Sequence, residues 1–404
     1  MKALILTIND NILSGLQENT CGNFLSDKLF NKGIDFSGNY VIDSSKTSIL
    51  NALNSVSDET NTIIILGENN LSLNKEIKEN ICEYLKDELV VNEYAESAIN
   101  LYYKNSNIPS EKASNSEALL PRESKLIENT LSVYQGFVTF KNGKHLIFLP
   151  SDLNALQNLY ETWFVDYIEA QFPKLNLSTT LKTFGLKKSE ALVILADLLK
   201  NKNLIKILIY PNELELTILI KYSVLTPKED INAFLQNVIE RLKNFIYATS
   251  NLNIYEVAFN LLKINGIKLA VAESITGGNI VSNLIKNNVG ISEYVVEGIT
   301  CYSNESKINR LNVDHNTLST YSAVSVETAY EMAAGLLETT KNANFVLATT
   351  GYASGEGENT GLVFVALGNY DGIHVYKNKF TGTRESIIEM ATKTALFYLI
   401  KKLK

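Results

Sequence analysis

The chain has 404 residues, 45% of them apolar and 20% charged, with a formal net charge of −7. Such a length leaves room for roughly two to four domains, each with its own core, and the composition excludes a disordered chain. The acidic balance forces no basic face for a nucleic-acid backbone, and no apolar run nears the ~20 residues of a membrane helix.

The opening run Met1–Ile8 turns polar at Asn9-Asp10. It is too short for a secretory core and reads as a first strand. Cys21, Cys82 and Cys301 are far apart, which argues against a disulfide framework and for a reducing cytoplasm. His145, His315 and His374 are the only histidines and stand alone, so a structural zinc site and a histidine-based triad are set aside.

Residues 1–165 alternate strand-like runs (Leu4–Ile8, Tyr40–Asp43, Thr62–Leu66, His145–Leu149) with helical spacing (Asn23–Lys32, Ser45–Val56, Lys75–Lys86). This order predicts a parallel sheet covered on both faces. Ser106–Ser124, rich in Ser, Asn, Pro and Glu, reads as a loop. A small α+β module follows: strand Thr179–Phe184, helix Ser189–Lys200, strands Leu204–Tyr210 and Glu213–Tyr222 around a turn at Pro211-Asn212, and helix Lys228–Ile246. Pro227 suits the helix start, and Ala248-Thr249-Ser250-Asn251 reads as a linker. The last stretch predicts helix Ile254–Asn265 closed by Gly266, strand Ile267–Ala272, helix Gly278–Lys286, strand Tyr294–Tyr302 and helix Val326–Thr339. Strands Phe345–Thr349, Leu362–Leu367 and His374–Lys379 and helix Ser386–Leu403 complete it, with a parallel start and an antiparallel end. All six prolines precede residue 250, while 13 of 21 glycines follow it, which places a boundary there. The expected domains are 1–168, 169–250 and 251–404.

Four strings carry chemistry. Ala272-Glu273-Ser274-Ile275-Thr276-Gly277-Gly278 lies between a strand and a helix, where backbone N–H groups and the helix dipole favour a phosphate or an oxyanion. Ser274 offers a hydroxyl there; capping of the helix by Ser274 or Thr276 is the alternative. Tyr302-Ser303-Asn304-Glu305-Ser306-Lys307 places a lysine in a first helical turn, where the dipole disfavours it. A serine attacking an amide needs a base, and without histidine Lys307 or Tyr302 can serve; a solvated lysine is the alternative. Thr349-Thr350-Gly351-Tyr352-Ala353-Ser354-Gly355-Glu356-Gly357 reads as a loop over a pocket. Arg384, one of four arginines, sits at a loop-to-helix junction suited to forked recognition of a phosphate or carboxylate, or to a surface ion pair.

Together with Ala323-Val324-Ser325, Gly361–Leu367 and Gly382-Thr383-Arg384, these strings resemble the C-terminal domain of the competence/damage-inducible protein CinA family. The resemblance implies an α/β, multidomain protein: an N-terminal molybdopterin-binding-like α/β/α domain, a small α+β middle domain and a CinA-like α/β domain. It implies hydrolysis of the carboxamide of nicotinamide mononucleotide, with no cofactor and no metal, by a cytoplasmic homodimer. Ser274 would be the nucleophile, and Lys307 with Tyr302 would accept and return its proton. Thr276, Gly277, Gly278, Asn304, Thr350, Gly351 and Arg384 would bind the substrate. Neither a membrane nor direct nucleic acid is expected as partner. A non-catalytic scaffold that senses a nucleotide or binds a partner in competence or DNA damage is the alternative.

The N-terminal match is eroded. Asn9-Asp10-Asn11-Ile12-Leu13-Ser14-Gly15, Gly67-Glu68-Asn69-Asn70 and Pro150-Ser151-Asp152 stand where the family carries glycine-rich and paired-carboxylate loops. In the family this domain is linked to metal-dependent ADP-ribose hydrolysis, so here a folded but catalytically silent domain is expected.

Overall fold

A strand buried on both faces reads as an unbroken apolar run, and Thr62–Leu66 is one, buried at every position. The computed structural model describes residues 2–107, 115–171, 176–200, 205–212, 214–354 and 359–404. The chain forms two units, Met1–Ser178 and Thr179–Lys404. The first contains a six-stranded sheet in the order Asp35–Ile42, Lys2–Ile8, Thr62–Leu66, Lys144–Leu149, Gly136–Lys141, Lys125–Ile127. Alternate side chains of Lys2–Ile8 feed two cores. Leu4, Leu6 and Ile8 pack with helices Lys46–Asn54 and Leu71–Leu85, while Ala3 and Ile5 pack with Thr20–Asn31 and Leu153–Leu159.

The expected parallel sheet holds for four strands; Gly136–Lys141 and Lys125–Ile127 run antiparallel. The missed signal is Asn142-Gly143. Both residues have positive φ (52° and 76°) and close a tight hairpin between Lys141 and Lys144, a turn that asparagine and glycine favour. The stretch expected as a loop at 106–124 is partly ordered: Asn115–Ala118 is a 3-10 turn, and Leu119–Pro121 pairs antiparallel with Leu89–Val91. Residues 108–114 of it lie outside the described residues. Helix Glu93–Asn105 was not anticipated either; its apolar face buries Ala95, Ile99 and Tyr103.

The second unit has two sheets. One runs in the order Ile205–Asn212, Glu215–Ser223, Asn176–Phe184, Ile246–Ala248. Pro211 and Asn212 are strand residues facing Leu216 and Glu215, not the turn. Pro211 is tolerated because the strand is an edge. The helix expected to reach Ile246 ends at Leu242, and Ile246–Ala248 is a buried strand rather than the start of a linker. Phe184, Tyr247 and Ala248 join the same core as Leu269, Leu347 and Leu399, so residues 179–250 have a sheet of their own but share buried apolar surface with the segment after them.

The other sheet runs Val295–Thr300, Leu269–Glu273, Phe345–Gly351, Leu362–Asn369, Gly372–Lys379. The first three strands are parallel and the last two antiparallel, matching the expected order. Leu269, Val271, Phe345, Leu347, Val363 and Val365 face helices Ile254–Ile264, Asn279–Asn287 and Arg384–Leu403. Ala270, Ala272, Val346, Ala348, Phe364 and Ala366 face helix Val326–Thr339. Period-two alternation thus makes both faces apolar and sandwiches the sheet between helices. No helix among the described residues is long and apolar enough to cross a membrane.

Helix Val326–Thr339 approaches helix Asn304–Leu311 so closely that a Cβ on Gly335 would lie 1.7 Å from the Leu311 carbonyl oxygen. Backbone cannot yield as a side chain can. Gly335→Ala is therefore expected to destabilise the fold by about 2–3 kcal/mol, read as a lowered denaturant midpoint at unchanged slope.

Candidate active site

The three parallel strands of the second sheet deliver their carboxyl ends to one edge, the usual place for a ligand in an open α/β sheet. Ser274 follows Leu269–Glu273 directly, and its N–H donates to Thr349 O at 3.0 Å, tying it to the end of the neighbouring strand. The turn then runs through Gly277 and Gly278 at φ of 60° and 100°, a left-handed pair that β-branched or bulky residues resist. Helix Asn279–Asn287 starts from there.

Lys307 reaches Ser274 from the other side. Ser303 caps helix Asn304–Leu311 by accepting from Ser306 N–H at 3.0 Å, and Lys307 falls one residue further on. Only 1% of Lys307 is exposed. Its Nζ makes three bonds: to Ser274 Oγ at 3.1 Å, to Cys301 O at 2.9 Å and to Tyr302 O at 3.1 Å. Burial pushes its pKa below the ordinary lysine range, and the neighbouring Cys301 thiol opposes that push. The three acceptors match the three hydrogens of an ammonium. In the neutral amine, two hydrogens can stay on the carbonyls, which turns the lone pair toward the Ser274 hydroxyl. Two main-chain carbonyls therefore orient the amine toward the Ser274 hydroxyl.

Tyr302 does not sit as the sequence suggested. Its contribution at Lys307 is the carbonyl, and the side chain is 66% exposed with its hydroxyl 3.4 Å from Arg384 Nη2. Arg384 is the first residue of helix Arg384–Leu403, behind the Thr383 cap, and its Nη1 also donates to Ser354 Oγ at 2.7 Å. It lines an open groove of about 660 Å³ with Asn279, Thr383, Ser386 and the carboxylates Glu385 and Glu389. Asn304 is exposed at the start of its helix. Residues 355–357 of the expected loop lie outside the described residues.

The donors near Ser274 also differ from expectation. Glu273 is buried, and its carboxylate accepts from Gly278 N at 3.0 Å, Ile280 N at 3.1 Å and Val281 N at 3.0 Å. The protein's own carboxylate thus occupies the helix N-terminus that the sequence offered to a phosphate, and Gly278 N–H is committed to it. The N–H groups of Ile275 and Thr276 have no acceptor among the described residues. The hydroxyl of Thr276 meets Thr349 Oγ1 at 2.8 Å, and that of Thr350 donates to Ala323 O at 2.6 Å. Thr350 therefore anchors the segment Ala323–Ser325 beside the site. Gly351 is kept small by its neighbours, since a Cβ there would come within 2.7 Å of Ile275 Cδ1 and of Leu362 O. Glu273 is the residue that sequence reasoning passed over. Its signal was a carboxylate at a strand end, just ahead of a helix start.

A family description, CinA C-terminal domain, matches residues 252–403. A competence-damage inducible protein of Caldicellulosiruptor saccharolyticus is 30% identical over 408 residues, covering 99% of each chain. The chain belongs to the CinA family. A relative of the same name in Clostridium botulinum is 29% identical over 412 residues and covers all of both chains. Among solved structures, a CinA superfamily protein from Klebsiella pneumoniae is 32% identical, with a TM-score of 0.36, covering 38% of this chain and 98% of that one. Ser274, Lys307 and Arg384 all fall within the residues matched to the CinA C-terminal domain.

Proposed function

We propose that this site hydrolyses the carboxamide of nicotinamide mononucleotide to the carboxylate and ammonia. The observation that carries the reading is the 3.1 Å contact between a buried lysine amine and Ser274 Oγ, with two carbonyls orienting the amine. Ser274 Oγ attacks the carboxamide carbon as Lys307 takes its proton. The oxygen that becomes negative is held by the N–H groups of Ile275 and Thr276. Lys307 then returns the proton to the nitrogen, the C–N bond breaks, and ammonia leaves an acyl ester on Ser274. Water, deprotonated by the same amine, cleaves that ester and restores the serine. One amide and one water give one acid and one ammonia. The groove beside Arg384 has room for a nucleotide, and a guanidinium in its lining supports recognition of the phosphate.

The first test is ammonia release from this nucleotide by the purified full chain. Folded protein without turnover would overturn the reading. The rate is expected to rise with pH through the lowered pKa of Lys307 and then level off, because only the neutral amine can accept the serine proton. The same shift makes the buried ammonium a cost to stability at low pH. That cost lifts as pH climbs from the lowered pKa toward the ordinary lysine value, so stability rises across that window. A rate flat from mildly acid to alkaline pH contradicts the assignment of the base.

Arg384→Ala is expected to raise KM for the nucleotide about 10- to 100-fold with a smaller change in kcat. With the corresponding nucleoside amide, which lacks the phosphate, the variant and the wild type should be alike. Equal losses on both substrates would remove the phosphate from Arg384.

A further inference from the structure

Helix Arg384–Leu403 carries Arg384 in its first turn, and residues 179–250 brace it further along. The rings of Phe397 and Phe184 lie 5.0 Å apart between centroids, and Lys401 Nζ donates to Lys243 O at 2.9 Å and Ile246 O at 3.2 Å. Nearer the groove, Lys393 has a side chain only 12% exposed and bridges two carboxylates. One is Glu215 Oε2 at 2.9 Å, from strand Glu215–Ser223; the other is Glu389 Oε1 at 3.4 Å, one turn back on its own helix. Tyr247 donates its hydroxyl to the other Glu215 oxygen at 2.7 Å, and Tyr255 donates to Glu389 Oε1 at 3.3 Å. Burial and the Glu215 charge hold the Tyr247 phenol above its usual range, so it stays a donor.

The groove itself is poorly balanced for an anion. Its lining sets one guanidinium against two carboxylates, Glu385 and Glu389. These two stand one helical turn apart, and Lys393 continues the same row. A Glu389 left to itself would pair with Arg384 or repel a bound phosphate, and either would weaken anion binding. The structure shows a different arrangement. Neither carboxylate pairs with Arg384 among the described residues; the guanidinium donates to the uncharged hydroxyls of Ser354 at 2.7 Å and Tyr302 at 3.4 Å. Glu389 is turned toward Lys393 and Tyr255. The closer contact to Glu215 fixes the ammonium, so Glu389 is drawn to it rather than the reverse.

We propose, on the reading that the nucleotide phosphate sits at Arg384, that Lys393 is a positioning residue for that phosphate. Anchored by Glu215, it neutralises Glu389 and holds it off the guanidinium, which leaves Arg384 for the substrate. Lys393 and Glu215 are not in the lining of the groove, so both act through Glu389. Residues 179–250 thereby contribute to nucleotide binding without touching the nucleotide. Because the ammonium is largely buried, salt screens its pull on Glu389 less than it would screen a surface pair.

The test measures the Kd of nicotinamide mononucleotide by calorimetry in the full chain carrying Ser274→Ala, so that turnover plays no part. KM and kcat for ammonia release are measured separately in chains that keep Ser274. Lys393→Met is expected to raise Kd and KM about fivefold, with kcat within about twofold of wild type. Glu389→Gln keeps an acceptor for Tyr255 and should lower Kd about two- to threefold. Beside Glu389→Gln, Lys393→Met should have no further effect on Kd, whereas a lysine acting by its own charge or by stability alone would cost the same in both backgrounds. The nucleoside amide, which lacks the phosphate, should bind all these variants alike. The proposal fails if Lys393→Met leaves Kd unchanged, if it costs as much beside Glu389→Gln as alone, or if the nucleoside amide suffers equally. Should Lys393→Met not fold, Glu389→Gln decides, and an unchanged or raised Kd overturns the proposal. Binding with the expected pattern but no ammonia release would sink deamidation and keep the role of Lys393; ammonia release without the pattern would do the reverse. A nucleotide that does not bind at all overturns both.

Discussion

Ser274→Ala and Lys307→Met are each expected to lower ammonia release from nicotinamide mononucleotide by at least about 1,000-fold, and the double variant to be little worse than either single one. The reason is geometric. The serine hydroxyl is a poor nucleophile until its proton is removed, and the amine 3.1 Å away is the proposed base. Methionine matches the length and apolar stem of lysine but has no lone pair of comparable basicity. Lys307→Arg should not restore the rate. A guanidinium stays protonated throughout the working pH range, and its planar fork does not fit where Nζ meets Cys301 O and Tyr302 O. The pair acts as a unit, so the losses should not add. Turnover within tenfold of wild type in either folded variant would remove the pair from the chemistry. Tyr302→Phe offers an internal control, since it keeps the carbonyl that holds Lys307 and removes only the hydroxyl near Arg384. It should cost far less than either change to the pair.

The contrast between Tyr302 and Lys307 shows how far the sequence could be read. Strand-helix alternation after residue 250 is regular because the three inner strands of that sheet, Leu269–Glu273, Phe345–Gly351 and Leu362–Asn369, are buried almost throughout, so element order and direction were open to inspection. The strings around Ser274 and Lys307 also stood out as strand-to-helix junctions. Their contact spans 33 residues and depends on a parallel crossover, which local pattern does not encode. A residue name likewise cannot tell a phenol from a carbonyl, and at Tyr302 the carbonyl does the orienting. In the first unit, the Asn142-Gly143 hairpin was written in the sequence but hidden by charged flanks at Lys141 and Lys144. At Pro211 the turn residues misled, because an edge strand tolerates a proline that a central one would refuse.

Glu273→Ala is expected to cost about 2–4 kcal/mol of stability and, at temperatures where the variant stays folded, to impair turnover as well. The carboxylate is buried and accepts three N–H groups at the start of helix Asn279–Asn287, so its loss leaves those donors without a partner in a site screened from water. Glu273→Gln retains one acceptor oxygen and should fall between wild type and alanine. The turn from Ser274 to Gly278 hangs between the strand end and this capped helix, so loosening the cap frees Ser274 from its place beside Lys307. A purely structural account would stop at the lower midpoint. The capped N-terminus predicts something further: once the carboxylate is gone, the positive helix end is open to anions. Inorganic phosphate should then raise the thermal midpoint of Glu273→Ala and inhibit its residual activity, while leaving the wild type unmoved. Equal phosphate effects on both proteins would mean that Glu273 does not guard the helix end, and the nucleotide phosphate could then compete for it instead of Arg384.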